Sequence, residues 1–300
     1  MTITTNVPDF MVIGARTGFL AAIDLDAPSD YKRFATTVNM TSKELTLVDL
    51  GGAPMPVSAK GRREQQDFIE KTMKINSLPW EITVPISWNA IQDDQTGTLN
   101  NKVRAAGENF MIDMNRLCFD MLDKGNVTTT YPAGYDGLAL FSASHVDSGG
   151  KYTTVQSNTN SKSLTPDNFN TVRAAGRKFV NDQNVPWNFT HNLLIVNPDD
   201  ERNAAQIKSN PWVGFSADRT VNPYQGKVDY ITSPYITSGG WYVVDESRSV
   251  KPVLFVLREM PNLQSAWFDP EGPDGGTYKF KFYARYNVFP GAWPLIIKGN

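Results

Sequence analysis

The sequence predicts an α+β fold, and three observations predict it. A strict two-residue alternation runs through Trp80, Ile82, Val84, Ile86 and Trp88, a long helical repeat follows it, and strand-like segments dominate after Val228. With 300 residues, 40% of them hydrophobic, the chain is long enough for a substantial core divided among one to three sub-domains.

Residues 1–40 carry scattered apolar positions among Pro8, Gly14, Gly18 and Pro28, and read as an extended arm with a short helix around residues 17–24. Residues 51–63, with Gly51, Gly52, Pro54, Pro56 and Gly61, read as a turn-rich connector. In the alternating stretch the apolar row Trp80, Ile82, Val84, Ile86, Trp88 lies on one face, and Glu81, Thr83, Pro85 and Ser87 on the other. Ile69, Met73 and Ile75 are the expected upstream partner, and Asn76, Ser77 and Pro79 the turn, which makes a long hairpin. Pro85 has no N–H for a ladder and puts its strand at an edge or bulge. A two-stranded ribbon cannot bury such a row alone, so the expectation is that it lies on a neighbouring subunit.

The helix that follows places Leu99, Val103, Ala106, Phe110, Met114, Leu117 and Met121 at spacings of four and three, with Thr98 as N-cap and Gly125 as stop. At 1.5 Å per residue it is roughly 40 Å long, a spine. After a Thr/Gly/Ser-rich loop, Thr165 and Pro166 open a second helix with Phe169, Val172, Ala175 and Phe179 on one face, ending near Asn184. The run Leu193, Leu194, Ile195, Val196 reads as a short buried strand, and Asn197 caps a third helix with Asp199, Asp200 and Glu201 in its first turn and Lys208 in its last. Five β-rich segments complete the chain: residues 228–232, 241–244, 253–257, 278–288 and 295–298.

Composition bounds the function. The 29 basic and 31 acidic residues give a formal net charge of −2, which argues against a chain-wide basic surface gripping nucleic acid, so DNA contact would be local and non-specific. A lone cysteine, Cys118, excludes an intramolecular disulfide and fits a reducing compartment. No stretch is long and apolar enough for a membrane span, so no membrane is expected, and Asn39, Asn126 and Asn188 carry no glycosylation argument. His145 and His191 stand outside any metal-ligand spacing, and no phosphate loop or nucleophile elbow is present. Ser144, His145 and Asp147 resemble a triad in type, but such close neighbours in a loop rarely converge. Asp93 and Asp94 suit a helix N-terminus as well as a cation, and Lys60, Lys71 and Lys74 read as a solvated face rather than cross-linking groups. The expectation is a non-enzyme with no cofactor and no metal.

Residues 80–97 (WEITVPISWNAIQDDQTG), the spine, the segment from Tyr135-Asp-Gly to His145, residues 192–211 and Trp241-Tyr242 resemble, in order and spacing, the Mu-like bacteriophage major head (capsid) protein family. The ending Trp293-Pro-Leu-Ile-Ile-Lys-Gly299 is similar to that of the broader Hong Kong 97-like phage capsid fold. The resemblance implies an N-terminal arm (1–40), an E-loop β-hairpin region (41–97), a peripheral domain with the spine helix (98–164, rejoined by 256–300) and an axial domain (165–255). It also implies a major capsid protein that self-assembles into hexamers and pentamers of an icosahedral head around double-stranded DNA. Its partners would be portal, scaffold or maturation protease, and decoration proteins. The rival expectations are a cargo-nanocompartment shell of the same fold, and a β-rich binding or enzymatic domain using exposed Trp187, Trp212 and Trp241 on a carbohydrate.

Overall fold

A computed structural model describes residues 9–24, 29–49, 70–93, 98–146, 154–181, 184–213, 220–272 and 275–300. It is α+β. Helix α1 (Asp9–Asp24) leads to strands β1 (Ala35–Asn39), β2 (Glu44–Asp49), β3 (Lys71–Asn76) and β4 (Leu78–Ser87). A short helix α2 (Trp88–Gln92) precedes the spine, α3 (Thr98–Lys124), which begins at Thr98 itself rather than after it and stops just before Gly125. Then come β5 (Thr159–Asn160), α4 (Pro166–Arg177), β6 (Leu193–Val196), α5 (Glu201–Ser209), β7 (Trp212–Val213), β8 (Thr220–Val221), β9 (Asp229–Thr232) and β10 (Trp241–Val244). Two long strands, β11 (Val253–Asp269) and β12 (Thr277–Pro290), and a short last one, β13 (Ile296–Gly299), end the chain.

Two sheets carry the architecture. The first runs β1-β11-β12-β4 and the second β5-β13-β10-β6-β9, with two further pairs, β2-β3 and β7-β8. The expected pairing of β4 is corrected here: its partner is β12, with Trp80 opposite Ala284 and Ile86 opposite Tyr278, whereas β3 pairs with β2. One turn between β3 and β4 could have closed a hairpin, but β12 offers an aromatic row at matching period, Phe280, Phe282 and Tyr286, that a local partner lacks. The strand β2 was not foreseen in sequence.

The N-terminal arm also differs. Residues 9–24 form a docked helix: Ala15, Phe19 and Ala22 share one face and are buried, and Phe19 stacks on Phe282 at 4.1 Å and meets Phe110 edge-on at 6.0 Å. Gly14 and Gly18 dilute that pattern in sequence. Gly107 on α3 permits the approach, because a Cβ there would stand 2.9 Å from the Phe19 carbonyl. Helix α4 ends at Arg177 rather than near Asn184, with Phe179 buried just beyond it.

The second sheet is buried on both faces, as the unbroken apolar runs of β6 and β10 require. Leu193, Ile195, Tyr242 and Val244 pack with the spine helix, and Leu194, Val196, Trp241 and Val243 pack with α4 and α5. A third cluster, around Met73, Ile75, Val256 and Phe289, seats the β2-β3 ribbon on the first sheet. Residues 256–300 do not wholly rejoin the spine-side sheet, because β13 pairs with β10 in the second.

Candidate functional site: buried junctions and assembly surfaces

The row expected to contact a neighbouring subunit is largely covered by its own chain. Val84 and Ile86 are buried in the principal core, with Trp80 and Ile82 packed against it. The Trp80 ring stacks on Tyr286 at 5.4 Å, and its Nε1 donates to the Tyr286 carbonyl at 3.0 Å. Trp88 is 37% exposed and leans on Tyr278. The premise that this row needs a neighbour is therefore corrected for Trp80, Ile82, Val84 and Ile86, which β12 and the principal core cover, while Trp88 stays partly exposed. On the spine, Val103, Phe110, Met114 and Met121 are buried and Leu117 packs against the same core, while the Leu99 side chain lies outside the described residues.

The histidines are structural. His145 is fully buried, with Nδ1 2.5 Å from Asp136 Oδ2 and its ring stacked on Trp293 at 4.2 Å. Its Nε2 faces Asn158 Oδ1 at 3.1 Å. The Asn158 amide nitrogen donates to the Leu140 carbonyl at 2.7 Å, so its oxygen is the atom turned to the ring, and Nε2 donates to it. Both ring nitrogens are thus engaged, and Ser144 bonds to Ser142 instead. Asp147 lies outside the described residues. Among the described residues no triad forms around His145, whose two nitrogens face Asp136 and Asn158. The junction welds the 134–145 loop to the C-terminal segment, a role that sequence could not assign because Asp136, Asn158 and Trp293 are scattered along the chain.

His191 is also buried, at a positive φ of 39°, with Nε2 3.3 Å from the Pro294 carbonyl and, among the described residues, no hydrogen-bond partner for Nδ1. Burial pulls its pKa down to about 4, against the pull of Asp245. Cys118 is buried in the spine, and burial pushes its thiol pKa well up, as expected of an inert core position.

Charged groups tie the two sheets together. Arg33, after α1, reaches Glu246 at 2.9 Å and Asp229 at 2.7 Å, and Lys208 on α5 reaches Asp229 at 2.6 Å. Lys208 first, then Arg33, draws the Asp229 carboxyl down to about 2. No group of three or more His, Cys, Asp or Glu side chains suited to a metal ion occurs among the described residues. No helix among them is long and apolar enough to cross a membrane. Of the three tryptophans weighed for carbohydrate, Trp241 is fully buried, while Trp187 and Trp212 are 38% and 42% exposed.

Residues 72–293 match the family described as phage capsid protein, which is most of the chain. The chain belongs to the phage capsid protein family. A 120-residue stretch is 30% identical to the major capsid protein of Escherichia phage Mu, covering 40% of this chain and 38% of the Mu protein's own length. The capsid of bacteriophage JBD30 decorated with minor capsid protein trimers shares the fold at TM-score 0.57 and 18% identity, over 71% of this capsid-family chain and 93% of that one. The capsid of the native GTA particle does so at TM-score 0.58 and 9% identity, over 92% and 90%. At these identities the structural likeness is one of fold.

Proposed function

We propose that the chain is the major capsid protein of a tailed phage, self-assembling into an icosahedral head of hexamers and pentamers that encloses double-stranded DNA. The observation that carries this reading is the family match across residues 72–293, on a fold shared with phage shells. The subunit acts mechanically rather than as a catalyst, and its place is the virion capsid.

In this reading the β2-β3 ribbon is the extended E-loop hairpin, a narrower assignment than the whole of 41–97. The spine α3 and the β1-β11-β12-β4 sheet form the peripheral domain, and the second sheet with α4 and α5 forms the axial domain. Portal, scaffold or maturation protease, and decoration proteins are its expected partners, the last by analogy with the decorated JBD30 shell. The near-neutral charge fits a container that holds DNA without strong attachment. Many modest contacts repeated over a shell give it stability through multivalency. The family match is to phage capsid proteins, so the nanocompartment alternative is not favoured.

The test is negative-stain electron microscopy of the purified chain, alone and with its neighbouring head genes co-expressed. Closed shells of uniform diameter are expected; a monomer that never assembles under either condition contradicts the reading.

A further inference from the structure

The first sheet has two unlike ends. At one, where β12 leaves the core at Pro290, a cavity of about 370 Å³ opens between Tyr135, Trp187, Phe189, Arg248, Val250 and Trp293. Trp187 and Phe189 stack at 5.7 Å along one wall, and Val250 is 53% exposed at the rim. The Arg248 guanidinium lies over the Phe189 ring at 5.4 Å and, among the described residues, has neither an ion pair nor a hydrogen bond. Lys71 and Asp136 also line it, Asp136 being held by His145, so the socket is aromatic-walled and Arg248 is the cation in it that has only the Phe189 ring against it among the described residues.

At the other end the β11-β12 turn carries the opposite character. Trp267 is 38% exposed, facing away from the core that takes in its neighbour Phe268. Glu271 is exposed, without a cationic partner among the described residues, whereas Asp269 is held by Lys279 at 2.7 Å. This is an aromatic knob beside a free carboxylate.

We infer that the Trp267–Glu271 knob of one subunit docks in the Arg248 socket of a second copy of this chain. The two features cannot meet within one molecule. They stand at opposite ends of β12, a strand of 14 residues, which at roughly 3.3 Å per residue separates them by about 45 Å. Charge and shape are complementary: indole into an aromatic cavity large enough for it, carboxylate against guanidinium. A contact between different patches of identical copies is heterologous, so each subunit donates a knob and accepts one; such contacts build rings or a shell where the rotation closes and open filaments where it does not. This rests on the capsid reading, and it supplies a specific intersubunit contact in place of the Trp80–Trp88 row.

The experiment is a charge swap on the full chain, followed by sedimentation velocity and negative-stain imaging across a concentration series. Arg248→Glu and Glu271→Arg should each raise the concentration needed for assembly about tenfold or more, and the double variant should return it to within about threefold of wild type. Circular-dichroism melting of the monomers checks folding, with Arg248→Gln and Glu271→Gln used where a reversed charge disturbs it. Single variants that assemble like wild type, or a double variant no better than the worse single, overturn the contact. If wild-type chain forms no particles either alone or with its neighbouring head genes co-expressed, the capsid reading fails and takes the contact with it; particles indifferent to both charges sink the contact alone.

Discussion

Lys298 Nζ sits 3.2 Å from the main-chain oxygen of Asp123, at the C-terminal end of the spine helix, with the rings of Phe141 and Tyr242 centred 5.7 and 5.8 Å away. The last four carbonyls of a helix lack intrahelical donors, and the end carries partial negative charge. The last strand of the chain, β13, thus delivers a cation to the spot where α3 needs one. Thr237 reaches the Asp123 side chain from the other side, its Oγ1 donating at 2.8 Å.

Replacing Lys298 by methionine keeps the packing and removes the cation. The expected cost is about 1–2 kcal/mol of stability, read as a lower Tm, and the Asp123→Asn variant should change the size of that loss. A Lys298→Met chain that melts like wild type contradicts the capping role.

The His145 junction should behave as one unit. Asp136→Asn and His145→Phe each remove a buried hydrogen bond, and the pair in a double-mutant cycle should show coupling of about 1 kcal/mol or more. Additive losses measured by chemical denaturation would mean that the 2.5 Å contact adds nothing beyond packing.

Acid should weaken the subunit in a definable window. His191 is held neutral, with a pKa of about 4 against an ordinary 6.5. The unfolded chain takes up its proton first, so the stability this contributes is fully present above pH 6.5 and is lost as pH falls towards 4. At about 1.4 kcal/mol per unit the loss approaches roughly 3 kcal/mol. Asp229, with its carboxyl lowered from 3.8 to about 2, loses its contribution only below that window. Denaturation of a His191→Gln chain should be flatter between pH 6.5 and 4 than that of wild type; a parallel curve rejects the assignment.

Gly107→Ala raises intrinsic helix propensity yet should destabilise by about 1–2 kcal/mol, because the new methyl would meet the Phe19 carbonyl at 2.9 Å and the Ala22 methyl group at 3.0 Å. Limited proteolysis should then cut within α1 sooner than in wild type. Unchanged protection of α1 would place the close approach elsewhere.

What the sequence made legible was local. The 3.6-residue period of Val103, Phe110, Met114 and Met121 gave the spine, and its Thr98 start and Gly125 stop agree with the helix found. The two-residue period of Trp80 to Ile86 gave β4, and Leu193–Val196 followed by Asn197 gave the βα unit. Pairing was not legible. The partner of β4 lies some two hundred residues onward, and nothing in its alternation distinguishes a neighbouring subunit from β12. The helix α1 was hidden by Gly14 and Gly18, which dilute its apolar face, and β2 by its acidic ends around Leu45 and Leu47, which are only half buried. The candidate contacts were the least legible part, since Trp267 and Arg248 acquire meaning only once the fold sets them at opposite ends of one strand.

The five-stranded sheet is a party wall: its strands β6 and β10 are the floor of one hydrophobic room and the ceiling of the next. Sliding either layer would open both rooms at once, so the two halves of the subunit travel together as a rigid brick. In the shell proposed for this chain, where tiles meet at unequal angles, the adjustment falls to the mortar between bricks.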